Sequence, residues 1–243
     1  MPDRPPMRRQ APTVLLTRPE TEARRFAARL GDLPCVIAPL LRIEAVAHDA
    51  AQIAAAPAVV FTSAQAVAFA GAGRGRPAWC VGPRTGQAAQ GAGWDLRQGP
   101  GDAAGLVPML VGAGVPLLHV RGRHAARDLG EIPGLSAIIV YDQVPVSLSA
   151  EGAALLAGTA PVLLPLFSPR SARLAAAACR DAAAPLWLAP ISDAAAAAWD
   201  GPAPQRLLTA QSPDADGVLG ALTGLLSGEQ SPAARVVTPG PSV

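Results

Sequence analysis

Short apolar runs alternate with alanine-rich segments of helical spacing along almost the whole chain, and this alternation constrains the fold more than any other feature. It predicts an α/β protein of parallel strands joined by crossover helices, with helices on both faces of the sheets. Val14 to Thr17 reads as the first strand. Pro19 and Glu20 open a helix running to about Leu30, with Phe26 and Leu30 on one face. After Pro34 a second strand spans Cys35 to Ala38, and 39–46 is an extended connector carrying Arg42 and Glu44. The series continues as strand 58–62, helix 64–72, strand 78–81, helix 84–92, strand 94–97, helix 102–112, strand 116–120, helix 124–130 and strand 136–141. Residues 141–147, with Pro145, form a second extended connector. Then come strand 161–167, helix 170–181, strand 186–189, helix 193–200, strand 206–210 and helix 213–226. The Ser/Pro/Gly-rich stretch 228–243 reads as a disordered tail.

One strand–turn–helix unit recurs in this series. Val59-Val60-Phe61-Thr62-Ser63 parallels Leu164-Pro165-Leu166-Phe167-Ser168, with Phe61 matched to Phe167. The turn at Gly82 parallels the turn at Ser192, and Asp102 to Leu110 parallels Asp214 to Leu222. Leu15 to Arg18 resembles Leu118 to Arg121 in the same sense. The extended connectors predict how the copies are arranged. One α/β domain is discontinuous, 13–39 and 146–227, and the other, 40–145, is inserted into it. Two antiparallel crossings would then form a hinge that permits closure, with the working site in the cleft between the domains.

A chain of 243 residues fits this division, since domains of about 100–150 residues are common. Half of it is hydrophobic but only 4% is aromatic, so the cores must be built from Ala, Val and Leu. A formal net charge of +2 gives no reason to expect a nucleic-acid or membrane partner. Every basic side chain is Arg, and the absence of Lys excludes Schiff-base chemistry and a phosphate-binding loop ending in Lys-Ser/Thr. Cys35, Cys80 and Cys179 are far apart in apolar surroundings, and His48, His119 and His124 form no ligand cluster with them. That pattern predicts free thiols in a reducing compartment and no metal. The basic, Pro-rich start is followed by about four apolar residues in a run, too few for a signal-peptide core. No stretch reaches the ~20 apolar residues of a membrane helix. A cytoplasmic protein is expected.

In open parallel sheets, ligands bind beyond the carboxyl ends of the strands. The turns there are Thr17-Arg18-Pro19, Thr62-Ser63, Gly82-Pro83-Arg84-Thr85, Arg121-Gly122-Arg123, Ser168-Pro169-Arg170, Ser192-Asp193 and Ser212-Pro213. Nearly all place Ser, Thr, Gly or Arg at a helix start. Hydroxyl residues there cap the helix, and Pro suits its first position. The exposed amides and the helix dipole also receive anions. Arg18, Arg84, Arg121, Arg123 and Arg170 add forked donors for carboxylates or phosphates. Gly99 to Ala104 meets a loose dinucleotide pattern, but Pro100 lies inside the turn and no acidic residue ends the next strand. There is no Gly-x-Ser-x-Gly elbow, carboxylate pair or Ser-His-Asp set. Tyr141, the only tyrosine, sits where the chain leaves the inserted domain, either packed at the domain edge or reaching into the cleft as a weak acid.

Taken in order, these motifs resemble the uroporphyrinogen-III synthase family over roughly Val14 to Leu226. The matching stretches are VLLTRPETEA (14–23), PLLRIE (39–44), VVFTSAQAV (59–67), CVGPRTGQAA with a following Gly-Trp (80–94), VRG (120–122), Arg-Asp-Leu (127–129), VYDQVP (140–145) and LFSPRSA (166–172). The resemblance implies two flavodoxin-like domains joined by a two-strand connector. It implies a cofactor-independent lyase, expected as a monomer, that cyclises hydroxymethylbilane, a linear tetrapyrrole with eight carboxylates, to uroporphyrinogen III. Water leaves, ring D inverts through an azafulvene cation and a spiro intermediate, and the macrocycle closes. Much of that work is holding a flexible chain in one geometry, because the substrate otherwise cyclises to the wrong isomer. Tyr141 matches the family tyrosine proposed to assist departure of the hydroxyl. Thr62, Ser63, Gly82, Thr85, Gly122 and Ser168 match positions lining the family's cleft, and Thr17, Arg18, Arg121, Pro169 and Ser192 complete the expected substrate contacts. The chain departs from the family in having Ser192-Asp193 for a frequent Gly-Thr, and Asp214 for a frequent Thr. The alternatives are a two-domain carrier or sensor of an anionic metabolite, and a nucleotide-dependent transferase.

Overall fold

A computed structural model describes residues 11–124, 129 and 132–228. From residue 229 onward the expected tail lies outside the described residues, as does most of the helix expected over 124–130. In chain order the elements are β1 (Thr13–Leu16), α1 (Glu20–Ala27), β2 (Cys35–Ile37), β3 (Leu41–Ala45), α2 (Ala50–Ala55), β4 (Ala58–Phe61), α3 (Ala64–Val67), β5 (Pro77–Cys80), α4 (Pro83–Gly91), β6 (Asp95–Gln98) and α5 (Ala103–Val111). They continue as β7 (Leu117–Gly122), β8 (Leu135–Pro145), α6 (Ala150–Leu156), β9 (Val162–Leu166), α7 (Pro169–Ala178), β10 (Leu186–Pro190), α8 (Asp193–Ala197), β11 (Arg206–Leu207) and α9 (Ala215–Ser227). Among the described residues, no helix is long and apolar enough to cross a membrane.

The chain divides into two compact units. Met1–Arg42 and Pro145–Val243 form the first, and Ile43–Val144 forms the second. The first unit holds a five-stranded sheet, β11-β10-β9-β1-β2, whose recorded pairings are all parallel. Numbered within the unit this is the order 2-1-3-4-5 of a doubly wound flavodoxin-like sheet. Every residue of β9 and β10 is buried, as expected of strands covered on both faces. Val14, Leu16 and Leu163 pack on one side with Phe26, Val218 and Leu222. Leu15, Leu164 and Leu166 pack on the other with Ala172 and Ala175. Helix α1 forms because Ala23 and Phe26 bury one stripe, while Glu20 and Glu22 in the first turn and Arg24 and Arg25 in the last match the helix dipole.

The second unit holds a six-stranded sheet, β3-β8-β7-β4-β5-β6, parallel from β8 to β6. Taking β7 and β8 as its first two strands gives the same 2-1-3-4-5 order, so this unit is a circular permutant of the other, built three strands first and two last. Val59 and Phe61 face one core with Cys80 and Val120, and Ala58 and Val60 face the opposite one with Leu106 and Leu110. Arg76 ties the helix ends below this sheet. Its guanidinium donates to the carbonyls of Ile53, Ala54 and Ala56 at 2.6, 3.0 and 3.3 Å and lies 4.6 Å from the Trp94 ring centroid. Those carbonyls lie at the carboxyl end of α2, where Ile53 also accepts from Ala56 N–H at 3.4 Å.

Several elements differ from the sequence reading. The two connectors are strands: β3 and the end of β8 are neighbours, with Val46 N–H donating to Val140 and Val146 N–H donating to Leu40, both at 3.0 Å. Each crossing is followed by a short helix the reading missed, α2 capped by Asp49 and α6 capped by Ser149. Helix α3 stops at Val67 rather than near residue 72, and β11 is two residues long. The repeat also shifts by one position. Ser63 and Ser168 are the N-caps of α3 and α7, so Phe167 is the counterpart of Thr62, not of Phe61. Two of the other three pairings are N-cap pairs, Gly82 with Ser192 and Asp102 with Asp214.

Candidate functional site

Parallel strands place their carboxyl ends on one edge of each sheet, and most of the singled-out turns lie on those edges. In the first unit, Thr17-Arg18 follows β1, Phe167-Ser168-Pro169 follows β9, and Ile191-Ser192-Asp193 follows β10. The Arg18 guanidinium carbon stands 3.8 Å from the Phe167 ring centroid, and that ring meets Phe26 edge-on at 5.0 Å. A flat cation held on an aromatic face keeps its in-plane N–H groups directed outward, which suits a carboxylate. Phe167 was not singled out from sequence, because its pairing with Phe61 hid its place at the turn.

The hydroxyls of this unit serve the helices. Ser168 and Ser171 form a reciprocal capping box at 3.0 and 3.1 Å, and Pro169 fills the first position of α7. Ser192 Oγ accepts from Ala195 N–H at 3.3 Å, at the start of the short α8. The Ser168 hydroxyl also donates to Ser171 Oγ at 3.1 Å, whereas a capping serine such as Ser192 still has its own proton to give. Thr17 is different, since it is 4% exposed and belongs to the interior. Asp193 is exposed at the first position of α8. Asp214 caps α9, and the Gly217 amide, with the Ser212 hydroxyl, holds its carboxyl below the usual carboxylate range.

In the second unit, Thr62-Ser63 follows β4, Gly82 follows β5, and Arg121 and Gly122 close β7 beside Tyr141 on β8. Thr62 Oγ1 and His119 Nε2 share a hydrogen bond of 3.0 Å, with His119 only 1% exposed. Ser63 Oγ accepts from Gln65 N–H at 3.2 Å. Thr85 is 5% exposed, turned inward from the third position of α4. Gly82 has extended backbone, and its lack of a Cβ matters for another reason: a Cβ would lie 3.0 Å from Gly101 Cα, where two turns meet. Arg121 Nε is buried and makes no hydrogen bond among the described residues, so this cation has a donor left to give. Arg123 is already engaged, its Nε donating to Asp142 at 2.9 Å, with His124 3.4 Å from the same carboxylate. Burial raises the Asp142 carboxyl, but the Gln143 amide, Arg123 and His124 outweigh it and leave it below the usual range. Tyr141 is buried, 3% exposed, and stacks on Phe69 with ring centroids 5.8 Å apart. His119, Phe69 and Asp142 were not singled out from sequence. Among the described residues, no group of His, Cys, Asp and Glu side chains could hold a metal ion.

The family model described as "Uroporphyrinogen-III synthase HemD" matches residues 24–220. The chain belongs to the uroporphyrinogen-III synthase family. That span includes every turn discussed except Thr17-Arg18, which precedes it. Among solved structures, the uroporphyrinogen-III synthetase of Helicobacter pylori 26695 is similar in fold, with a TM-score of 0.66 at 14% identity over 89% of this chain and 100% of that one. A mutant uroporphyrinogen III synthase of the extremely thermophilic bacterium Thermus thermophilus aligns at a TM-score of 0.46 and 14% identity, over 90% of this chain and 100% of that one. No curated protein sequence matches the chain at significance. The parallel α/β architecture described above is thus the fold of a solved uroporphyrinogen-III synthase, and the chain is a member of an enzyme family of tetrapyrrole biosynthesis.

Proposed function

We propose that the protein converts hydroxymethylbilane to uroporphyrinogen III, losing water and inverting ring D, without a cofactor, as a cytoplasmic monomer with no nucleic-acid or membrane partner. The match of the family model over residues 24–220 carries this reading. The chemistry of the sheet edges supports it. A substrate with eight carboxylates calls for many anion-receptive groups, and both units supply them. Arg18 on its aromatic support and the amides opening α1 and α7 serve in the first unit. Arg121, with its uncommitted Nε, and the amides opening α4 serve in the second, beside the Thr62 and Ser63 hydroxyls. None of these groups is a nucleophile. Their work is to fix the bilane in the one folded geometry from which the type III ring closes.

Tyr141 is the group assigned to the leaving hydroxyl. A phenol O–H can donate its proton as the hydroxyl departs as water. The proton lost from the substrate on ring closure restores the phenol, so no net proton is consumed. The direct test is to incubate the protein with hydroxymethylbilane, oxidise, and resolve the porphyrin isomers; exclusive type I product defeats the proposal.

A further inference from the structure

We propose that Gly122 is a positioning residue for Tyr141, reserving the space in which the phenol end of the ring rests. This inference rests on the working role given to Tyr141 above. From sequence, Gly122 is expected to touch substrate. The structure gives its open face to another group. A Cβ built at Gly122 would lie 2.5 Å from Tyr141 Cζ, 2.7 Å from Cε2 and 2.8 Å from the phenol oxygen. Carbon atoms do not approach so closely, and the ring cannot slide away freely because Phe69 stacks on it. Any side chain at position 122 must therefore displace the phenol.

The backbone explains how the ring arrives there. The pairing of β7 with β8 runs Val120 to Ile138 and Arg121 to Ile139, then jumps from Gly122 to Tyr141. Val140 is the extra residue of a bulge. In an unbroken strand Val140 and Tyr141 would point to opposite faces of the sheet. With the bulge, Ile138, Val140 and Tyr141 all join the same core, with Val59, Phe61 and Val120. One inserted residue thus turns Tyr141 onto the face that carries Phe69, and the missing side chain at 122 lets its hydroxyl end settle at the carboxyl edge of β7.

Tyr141 is the only tyrosine in the chain, so it can be observed alone. Protein labelled with tyrosine carrying carbon-13 at Cζ has a single resonance. In the native protein, the Tyr141 ring protons are expected to show nuclear Overhauser contacts to the Gly122 α-protons. Their absence overturns the proposal without any variant having to fold. In Gly122→Ala the labelled resonance moves, while Glu20→Gln, an exposed position of the other unit, leaves it in place. Kinetically, Gly122→Ala lowers kcat for type III formation by the factor seen in Tyr141→Phe, with KM little changed, and the double variant is no slower than either alone. Multiplied losses, or a loss confined to KM, would mean that Gly122 acts on substrate independently of Tyr141. If Tyr141→Phe is as fast as the native protein, the role of Tyr141 falls and the positioning role with it. If the native protein forms no type III isomer, the proposed function itself fails, and the Overhauser contacts still report whether the ring rests on Gly122.

Discussion

The hydrogen-bonded pair Thr62–His119 gives a test whose size follows from the structure. The two residues stand on neighbouring parallel strands, where Val60 is in register with His119, so Thr62, two residues on, reaches the same imidazole. Their hydrogen bond of 3.0 Å involves a histidine that is 1% exposed. Thr62→Val preserves the side-chain shape and removes the hydroxyl, leaving a ring nitrogen in the interior without that partner. Stranding a buried polar atom costs about 1–3 kcal/mol. His119→Leu strands the half-buried Thr62 hydroxyl at the lower end of that range. Replacing both removes the donor and the acceptor together, so the double variant should be less damaged than the sum of the singles by about 0.5–1.5 kcal/mol. Urea unfolding of the four proteins, followed by tryptophan fluorescence and circular dichroism, measures the coupling. Losses that add within about 0.3–0.5 kcal/mol would show that the pair does not act as a unit and refute the reasoning.

Arg18→Lys keeps the charge but loses the flat fork that lies on Phe167, so KM for hydroxymethylbilane should rise about two- to fivefold with kcat little changed, the equivalent of one exposed cation–π contact; an unchanged KM would remove Arg18 from the substrate contacts. The Asp214 carboxyl titrates lower in the folded than in the unfolded chain, so its contribution to stability is present above the unfolded value of about 3.9 and is lost as pH falls through the folded one. Asp214→Asn keeps a capping oxygen and should flatten that acid limb in acid unfolding curves; an unaltered acid transition would contradict the assignment. Burial pushes the thiols of Cys80 and Cys179 up to about 12, whereas Cys35 is part-exposed. A thiol reagent should therefore modify Cys35 alone in the native protein and all three cysteines after denaturation, and fast reaction at Cys80 or Cys179 would contradict their burial.

The strands and long helices were legible in the sequence because buried parallel strands are continuous apolar runs and the helices between them carry caps at the turns. Helices α2 and α6 were missed because AAQIAA and AEGAALL are too short, and too uniformly alanine, to mark a face, although Asp49 and Ser149 stand as caps before them. The permuted order of the second unit shows only when strand pairing is known, since each half of the chain has the same local pattern. The candidate turns were legible as helix starts, but what each residue does there was not. Whether Thr17 and Thr85 face solvent, or whether the missing Cβ of Gly82 and Gly122 makes room for a backbone or for Tyr141, depends on residues distant in sequence. The bulge at Val140 likewise leaves no mark in VYDQVP, yet it decides which face Tyr141 occupies.

The isomer ratio of the product tests the central claim most directly. Hydroxymethylbilane closes on its own to the type I ring, so the protein and the spontaneous reaction compete in one tube and the ratio reports which prevails. With rising protein concentration, oxidation and chromatographic separation should show the type III porphyrin replacing type I until it dominates. A product that stays type I at every concentration, even with the bilane demonstrably bound, would contradict the account and leave a binding protein built on a synthase fold.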